Sequence, residues 1–535
     1  LAERENFFHW RLEYPEAFYD AEGDERENPG FDAVIGNPPY GYRKIPTDME
    51  KQYYSGKFDS HEYNYEFYIY FTEKAIELTK SGERMAFIIP NTYLSAQKMQ
   101  NFREYILNTS LSTLASTSAS STSERWQEKE VKTSSFSHIL GYTGKINKQE
   151  LERYGGKYSA LDYVGKTGIE RYRENALKGE KGKKRVEVDA LGKEKKIISK
   201  KEPRDGHNLI LSLDSELQAK MQQVLSKHVQ QIDSAQAAAG IAMDPHTGEV
   251  LSLVSIPAYN NNLFARGITS SQYKKLTDSP SNPLFNRAVT GEYPPGSTFK
   301  PVMAAAGLQE GIITDHTSFK STGGIRVGKW FFPDWKQGGH GITDVRKAIS
   351  QSVNTFFYYL GGGYNDFTGL GVDRIIDYSR KFGLGESTGI DLPQETSGFL
   401  PTKEWKKKEK GERWYIGDTY HLSIGQGFIL TTPLQVTNYI SVFANGGKLY
   451  EPFLVKEIRN TQGKLVERID PEPLKKRVVE EENVRVVRQG MRQAVTNGSC
   501  RRLYDLSVKA AGKTGTAQWE KDKTPHSWFT GFAPY

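Results

Sequence analysis

The chain has 535 residues, more than the roughly 100 to 200 usual for one domain, so two or three folded units are expected. Hydrophobic residues make up 37% and charged residues 26%, which excludes a disordered chain; no stretch approaches the roughly 18 consecutive apolar residues of a membrane span. The net charge of +7 would suit an anionic surface without demanding one, and the single cysteine, Cys500, excludes an intrachain disulfide or a multi-cysteine zinc site.

In chain order, Phe31 to Gly36 reads as a short buried strand, halted by Asn37-Pro38-Pro39-Tyr40, where two prolines forbid continuation. Glu66 to Thr79 has helical spacing of Phe67, Tyr70, Phe71, Ile76 and Leu78, closed by Gly82, and Arg84 to Ile89 reads as a second strand. Strand, helix, strand suggests an α/β fragment. Thr109 to Ser123 is almost entirely Ser, Thr, Ala and Leu, a low-complexity stretch with little to pack, and it marks a boundary.

Phe136 to Tyr142 and Asp162 to Tyr172 alternate apolar and polar residues, as expected of a small extended domain. The runs Lys181 to Arg185 and Lys193 to Lys201 read as solvated faces rather than nucleic-acid patches. Leu209 to Leu213 reads as a strand, Asp214 as a helix cap and Ser215 to Val229 as an amphipathic helix. Turn residues Asp244-Pro245-His246-Thr247-Gly248 between two apolar runs predict a hairpin. Strands and helices then alternate to Phe532-Ala533-Pro534-Tyr535; the chain also starts without Met, so both ends read as cut.

Pro294-Pro295-Gly296 should end a loop and let a helix begin near Ser297. Lys300, three residues on, would then share a helical face with Ser297, so the amine can reach the hydroxyl as a base reaches a nucleophile. Alone the pattern is weak: Ser95 to Lys98 and Ser271 to Lys274 also match, and Lys-Thr-Gly occurs at both Lys166 and Lys513. Order discriminates. Ser297-x-x-Lys300 is followed by Ser352-Val353-Asn354 and then by Lys513-Thr514-Gly515-Thr516, whereas Lys166 precedes the serine and reads as a loop.

Together these motifs resemble those of class B penicillin-binding proteins over about Phe136 to Tyr535. Phe285 to Gly296, Ser423-Ile424-Gly425-Gln426-Gly427, Thr432-Pro433-Leu434-Gln435 and Val164 to Glu170 are also similar to that family. Phe332-Pro333-Asp334-Trp335, Gly339-His340-Gly341 and Asp344 to Ala348 are more similar to penicillin-binding protein 2, the elongation branch, than to the division branch. The resemblance implies that Ser297 attacks the penultimate D-Ala carbonyl of a stem peptide while neutral Lys300 takes its proton. Ser352 would relay a proton to the leaving amine and Asn354 would hold the substrate amide. Lys513 and the hydroxyls of Thr514 and Thr516 would face the substrate carboxylate, with Gly515 admitting the substrate backbone. The N–H groups of Ser297 and Thr516 would form an oxyanion hole. The partners implied are peptidoglycan stem peptides, β-lactam antibiotics and a cell-elongation glycosyltransferase. The family is anchored in the inner membrane with its catalytic domain outside; this sequence carries no anchor or export signal. No cofactor is implied for transpeptidation. Some relatives bind a metal near Asp334 and His340, but two ligands without a nearby cysteine are too few, so no metal is expected.

Asn37-Pro38-Pro39-Tyr40 after an apolar strand resembles the catalytic loop of adenine-N6 DNA methyltransferases of the restriction-modification type, as do Phe8-His9-Trp10 and Arg11 to Glu16. Asn37 and the Pro38 carbonyl would accept hydrogen bonds from the target amine while Tyr40 stacks on a flipped adenine. S-adenosylmethionine is that family's cofactor, yet residues 1 to 30 contain only Gly23 and Gly30, with no Gly-x-Gly to hold it.

The expected architecture is multidomain, α/β and α+β. A Rossmann-like methyltransferase fragment (1–108) and a Ser/Thr-rich junction (109–134) precede a partial pedestal or dimerisation domain (135–208) and a β-lactamase/transpeptidase-like α/β domain (209–535), which reads as truncated at its C-terminus. The favoured function is a serine D,D-transpeptidase of cell elongation. The alternatives are an adenine-N6 DNA methyltransferase fragment, with DNA as partner, and a penicillin-binding remnant that acylates without turnover. The junction is read as a gene rearrangement or an assembly artefact.

Overall fold

The computed structural model describes residues 11, 14–20, 22–36, 54–60, 67–87, 136–155, 157–188, 194–265, 267–520 and 523–535. The chain divides into two compact units, Leu1–Lys129 and Glu130–Tyr535. Asn37 to Tyr40 and Ser95 to Lys98 lie outside the described residues, as does the junction sequence Thr109 to Ser123.

In the first unit the strand Phe31–Gly36 pairs in parallel with Thr79–Phe87, and the helix Phe67–Leu78 makes the crossover that parallel pairing requires. The helix buries Ile69, Tyr70, Ala75 and Leu78. It ends at Leu78, within one residue of the expected Thr79, where Thr79 begins to pair with Phe31; Gly82, expected to close the helix, lies inside the second strand. Glu73 is buried and accepts the backbone N–H groups of Asp59 and Ser60 at 2.9 and 2.8 Å.

The second unit opens with a small pedestal. The strands Thr143–Lys145 and Tyr163–Gly165 pair antiparallel beside a cluster of Ile146, Tyr158 and Val164. Asn147 and Glu150 form a reciprocal capping box at the start of Lys148–Arg153. Two segments expected to be extended hold helical turns instead, Ser137–Leu140 and Gly168–Tyr172. Each is too short for helical periodicity to register, and each buries one isoleucine, Ile139 or Ile169, in the cluster of Val250, Leu253, Ala288 and Val289. Lys166, the first residue of the earlier Lys-Thr-Gly, is ion-paired with Glu150. Lys183–Val188 and Glu194–Lys201 form an antiparallel hairpin.

Beyond it, Asn208–Leu211 pairs with Val455–Arg459, and Asp214 caps the helix Ser215–Gln231 by accepting from Glu216 and Leu217 N–H at 2.9 Å each. The predicted hairpin is present, Ala238–Met243 against Val250–Ile256. Gln218 ties the helix to it, accepting from Leu253 N–H and donating to Leu253 O, both at 2.8 Å. A larger core surrounds the helix Lys300–Gln309, whose residues Lys300 to Gly307 are all buried. Against it lie the helices Val345–Ser350, Asn354–Gly362, Gly371–Lys381 and Glu481–Asn497. The last described hairpin pairs Ala511–Ala517 with His526–Phe532, Lys513 opposite Thr530. Among the described residues no helix is long and apolar enough to cross a membrane.

Candidate active site

Pro294 and Pro295 lead into one 3-10 turn, Gly296–Phe299, and the α-helix follows at Lys300. Ser297 thus sits in the tighter turn before the helix rather than in the helix itself. Lys300 opens the α-helix, and its N–H donates to Ser297 O, which ties the two residues together through the backbone. Thr298 pins the turn: its Oγ1 donates to Pro295 O at 2.7 Å and lies 3.0 Å from the Tyr439 hydroxyl. The Ser423 to Gly427 stretch closes behind it, with Gly296 N–H donating to Gly425 O at 2.8 Å. A Cβ on Gly425 would stand 2.1 Å from Gly296 O, and φ there is +73°, so only glycine fits.

The Lys300 side-chain nitrogen is where the scattered motifs meet. Its Nζ donates to Ser352 O at 2.9 Å, Ser352 Oγ at 3.2 Å and Asn354 Oδ1 at 2.6 Å. Burial drives its pKa well below the usual lysine value, and the neighbouring charge of Lys513 pushes it the same way, against a smaller opposing pull from Asp334. Neutral Lys300 can accept a proton from a hydroxyl. Ser352 holds φ at +56°, a left-handed conformation rare for a residue with a side chain, and such strain concentrates at functional sites.

Lys513 is fully buried and its pKa falls to about 7, again through burial. Its Nζ donates to Thr514 O at 2.7 Å. Here the structure corrects one expectation. Strand residues alternate between faces, so Lys513 and Gly515 share the buried side while Thr514 and the exposed Thr516 lie on the other. Lys513 therefore does not face a substrate carboxylate together with the two hydroxyls. Thr514 Oγ1 donates to Ser499 Oγ at 2.8 Å. A Cβ on Gly515 would lie 3.0 Å from Thr298 Cγ2, 3.1 Å from Trp528 Cβ and 3.3 Å from Thr298 N, so the strand passes close to the serine turn there. The Gln426 side chain lies against the backbone of Thr516 and Gln518 at the same edge.

Asp334 and His340 lie together, His340 Nε2 3.7 Å from Asp334 Oδ1, both side chains almost wholly buried. The Asp334 carboxylate accepts from the N–H groups of Trp335, Asn354 and Thr355 and from the hydroxyls of Ser321 and Thr355. Among the described residues no group of three His, Cys, Asp or Glu side chains is placed to hold a metal ion; the Asp334 carboxylate is engaged by hydrogen-bond donors, while the buried His340 Nε2 has no hydrogen-bond partner. In the sequence Asp334 stands out as part of the Phe332 to Trp335 stretch and as a metal-ligand candidate, not as a hydrogen-bond acceptor. Sequence reading missed Ser321, Gln351 and Thr355, which touch this pair but belong to none of the three motifs.

Residues 238–535 match the family model described as the penicillin binding protein transpeptidase domain, and residues 1–121 match that of the Eco57I restriction-modification methylase. The peptidoglycan D,D-transpeptidase MrdA of Haemophilus influenzae is 36% identical over 430 residues, 74% of this chain and 62% of that protein, so the chain spans less than two thirds of that relative. The crystal structure of Pseudomonas aeruginosa PBP2 in complex with WCK 5153 superposes with a TM-score of 0.61 at 34% identity, covering 75% of this chain and 82% of that one. PBP2 in its complex with MreC from Helicobacter pylori gives a TM-score of 0.65 at 33% identity, covering 75% and 71%.

Proposed function

The chain belongs to the penicillin-binding protein transpeptidase family, and from that premise we propose that Ser297 is the nucleophile of a peptidoglycan D,D-transpeptidase of cell elongation. The observation that carries this reading is the contact set of Lys300, whose Nζ meets Ser352 Oγ and Asn354 Oδ1 one turn after Ser297.

Neutral Lys300 takes the Ser297 hydroxyl proton as Oγ attacks the penultimate D-Ala carbonyl. The Ser297 and Thr516 N–H groups receive the developing oxyanion, each donor worth a few kcal/mol, about 3. Ser352 returns the proton to the terminal D-Ala amine, and that residue leaves. An amine of a second stem peptide then attacks the ester, gives up its proton through the same relay, and departs cross-linked while Ser297 regains its hydrogen. Asn354 orients the substrate amide. The exposed Thr516, with Thr514 beside it, meets the terminal carboxylate, while Lys513 acts from the buried face through its charge. No cofactor enters the scheme. A β-lactam would follow the first half and stop at the ester.

Similarity to a PBP2 solved in complex with MreC supports a partner of that kind, and similarity to a peptidoglycan synthase complex that coordinates polymerization and crosslinking supports a glycosyltransferase partner and a catalytic unit acting outside the membrane. The test is a mixture of a pentapeptide donor and a tripeptide or tetrapeptide acceptor analysed by mass spectrometry: a cross-linked product lacking one D-Ala supports transpeptidation, hydrolysis alone supports a carboxypeptidase, and neither product with ester formation on penicillin supports the non-turnover remnant.

For the first unit we favour a fragment of a Rossmann-like adenine-N6 DNA methyltransferase, on the match of residues 1–121 and the parallel pair Phe31–Gly36 with Thr79–Phe87. The residues present do not supply a glycine loop for S-adenosylmethionine, so no methyl transfer is derived. Calorimetry that detected binding of that cofactor to the chain would overturn this last point.

A further inference from the structure

We infer that Asp334 is a positioning residue whose carboxylate latches the Ser352-Val353-Asn354 turn against Lys300, an inference that rests on the transpeptidase reading. The turn needs holding, because Ser352 adopts φ +56° and does not keep that conformation unaided. Asp334 supplies the hold. It follows the strand Trp330–Pro333 and is itself fixed by its own N–H donating to Gly323 O at 2.8 Å. Its Oδ1 accepts Trp335 N–H at 2.9 Å and Asn354 N–H at 3.2 Å. Its Oδ2 accepts Thr355 N–H at 2.9 Å, Thr355 Oγ1 at 2.7 Å and Ser321 Oγ at 3.3 Å. Two of these donors are the opening N–H groups of the helix Asn354–Gly362, which have no partner within the helix and favour a negative charge.

The other side of the turn is held by the same segment. Trp335 Nε1 donates to Gln351 O at 3.0 Å, and His340 Nδ1 lies 3.0 Å from Gln351 Oε1. Ser352 is therefore clasped between Gln351 and Asn354, and both anchors lead back to Asp334 and its neighbours. The carboxylate also acts at a distance: of the charges facing Lys300, Lys513 disfavours its protonated form and Asp334 favours it, with Cys500 facing Lys513 in turn.

The experiment compares the full chain with Asp334→Asn, Asp334→Glu and Thr355→Val. It reads penicillin acylation rate against pH, thermal unfolding, and hydrogen exchange of the peptide spanning residues 350–356. D334N is expected to unfold cooperatively at a somewhat lower temperature, to exchange faster in that peptide beyond the change seen elsewhere, and to lose at least tenfold in plateau acylation rate. Removing the charge also moves the acid limb of its profile to lower pH. D334E keeps the charge, so its limb stays in place while its plateau falls. Should D334N not fold, T355V, which removes one bond to Asp334, is expected to raise local exchange and slow acylation severalfold. A D334N or T355V chain with parent-like exchange, or with faster exchange and a parent-like acylation rate, overturns the inference. If the parent chain itself does not acylate, the transpeptidase reading fails, and the latch stands or falls on local exchange.

Discussion

Lys300 and Lys513 are both fully buried in one site, and the charge of Lys513 works against protonation of Lys300. Burial is the larger cause for each. The site thus holds two buried amines whose protonated forms are both disfavoured, and Lys513 changes charge near pH 7.

The pH profile of acylation should report both. The base form of Lys300 is present above its lowered pKa and lost as pH falls through it, which gives an acid limb. Lys513 loses its charge as pH rises through about 7, weakening the attraction for a carboxylate, which gives an alkaline limb near 7. Second-order acylation rates are expected to fall as pH rises through about 7, with the acid limb set by the lowered pKa of Lys300; a rate that does not fall between pH 6 and 9 would contradict the assignment.

Lys513→Met should stabilise the chain while abolishing acylation. In the folded state Lys513 releases its proton near 7, and in the unfolded chain near 10.5, so the unfolded chain binds more protons between these values. Stability of the parent therefore rises with pH in that window, by about 1.4 kcal/mol per unit from this group, and is lost as pH falls. Denaturant unfolding at pH 7 and 10 is expected to show the variant more stable at pH 7, with the gap closing by pH 10. A gap that widens with pH would refute this sign.

At Ser352 strain and chemistry separate. Ser352→Ala keeps the left-handed φ and removes the hydroxyl that Lys300 meets at 3.2 Å, so acylation should fall steeply. Ser352→Gly removes the hydroxyl and the strain together, and should be more stable than the alanine variant by about 1 kcal/mol. Thermal melts of the two variants decide it.

Gly425→Ala should cost at least about 2 kcal/mol, because the added methyl meets the Gly296 carbonyl and cannot move it without moving the Ser297 turn. Acylation should be lost with it; a normal rate in the variant would show that the turn tolerates displacement.

Much of this site could be read from the order of three motifs. Ser297, Lys300, Ser352, Asn354 and Lys513 carry residue types whose chemistry is visible at a distance in sequence, and the structure gathers Lys300, Ser352 and Asn354 within hydrogen-bond reach. The side to which each strand residue points was less legible. Motif reading grouped Lys513 with Thr514, whereas the period-2 alternation of a strand parts them. Asp334 stayed hidden as a latch because its partners Ser321, Asn354 and Thr355 lie 13 to 21 residues away and carry no shared pattern. In the pedestal, helical turns of four and five residues are shorter than the periodicity that reveals a helix.

The most direct test of the account is covalent labelling of the folded chain by a fluorescent penicillin, with Ser297→Ala alongside and the labelled peptide identified by mass spectrometry. The account predicts one ester-linked label on the peptide containing Ser297, absent from the variant. A cooperatively folded chain that takes no label, or a variant that labels as the parent does, would contradict it.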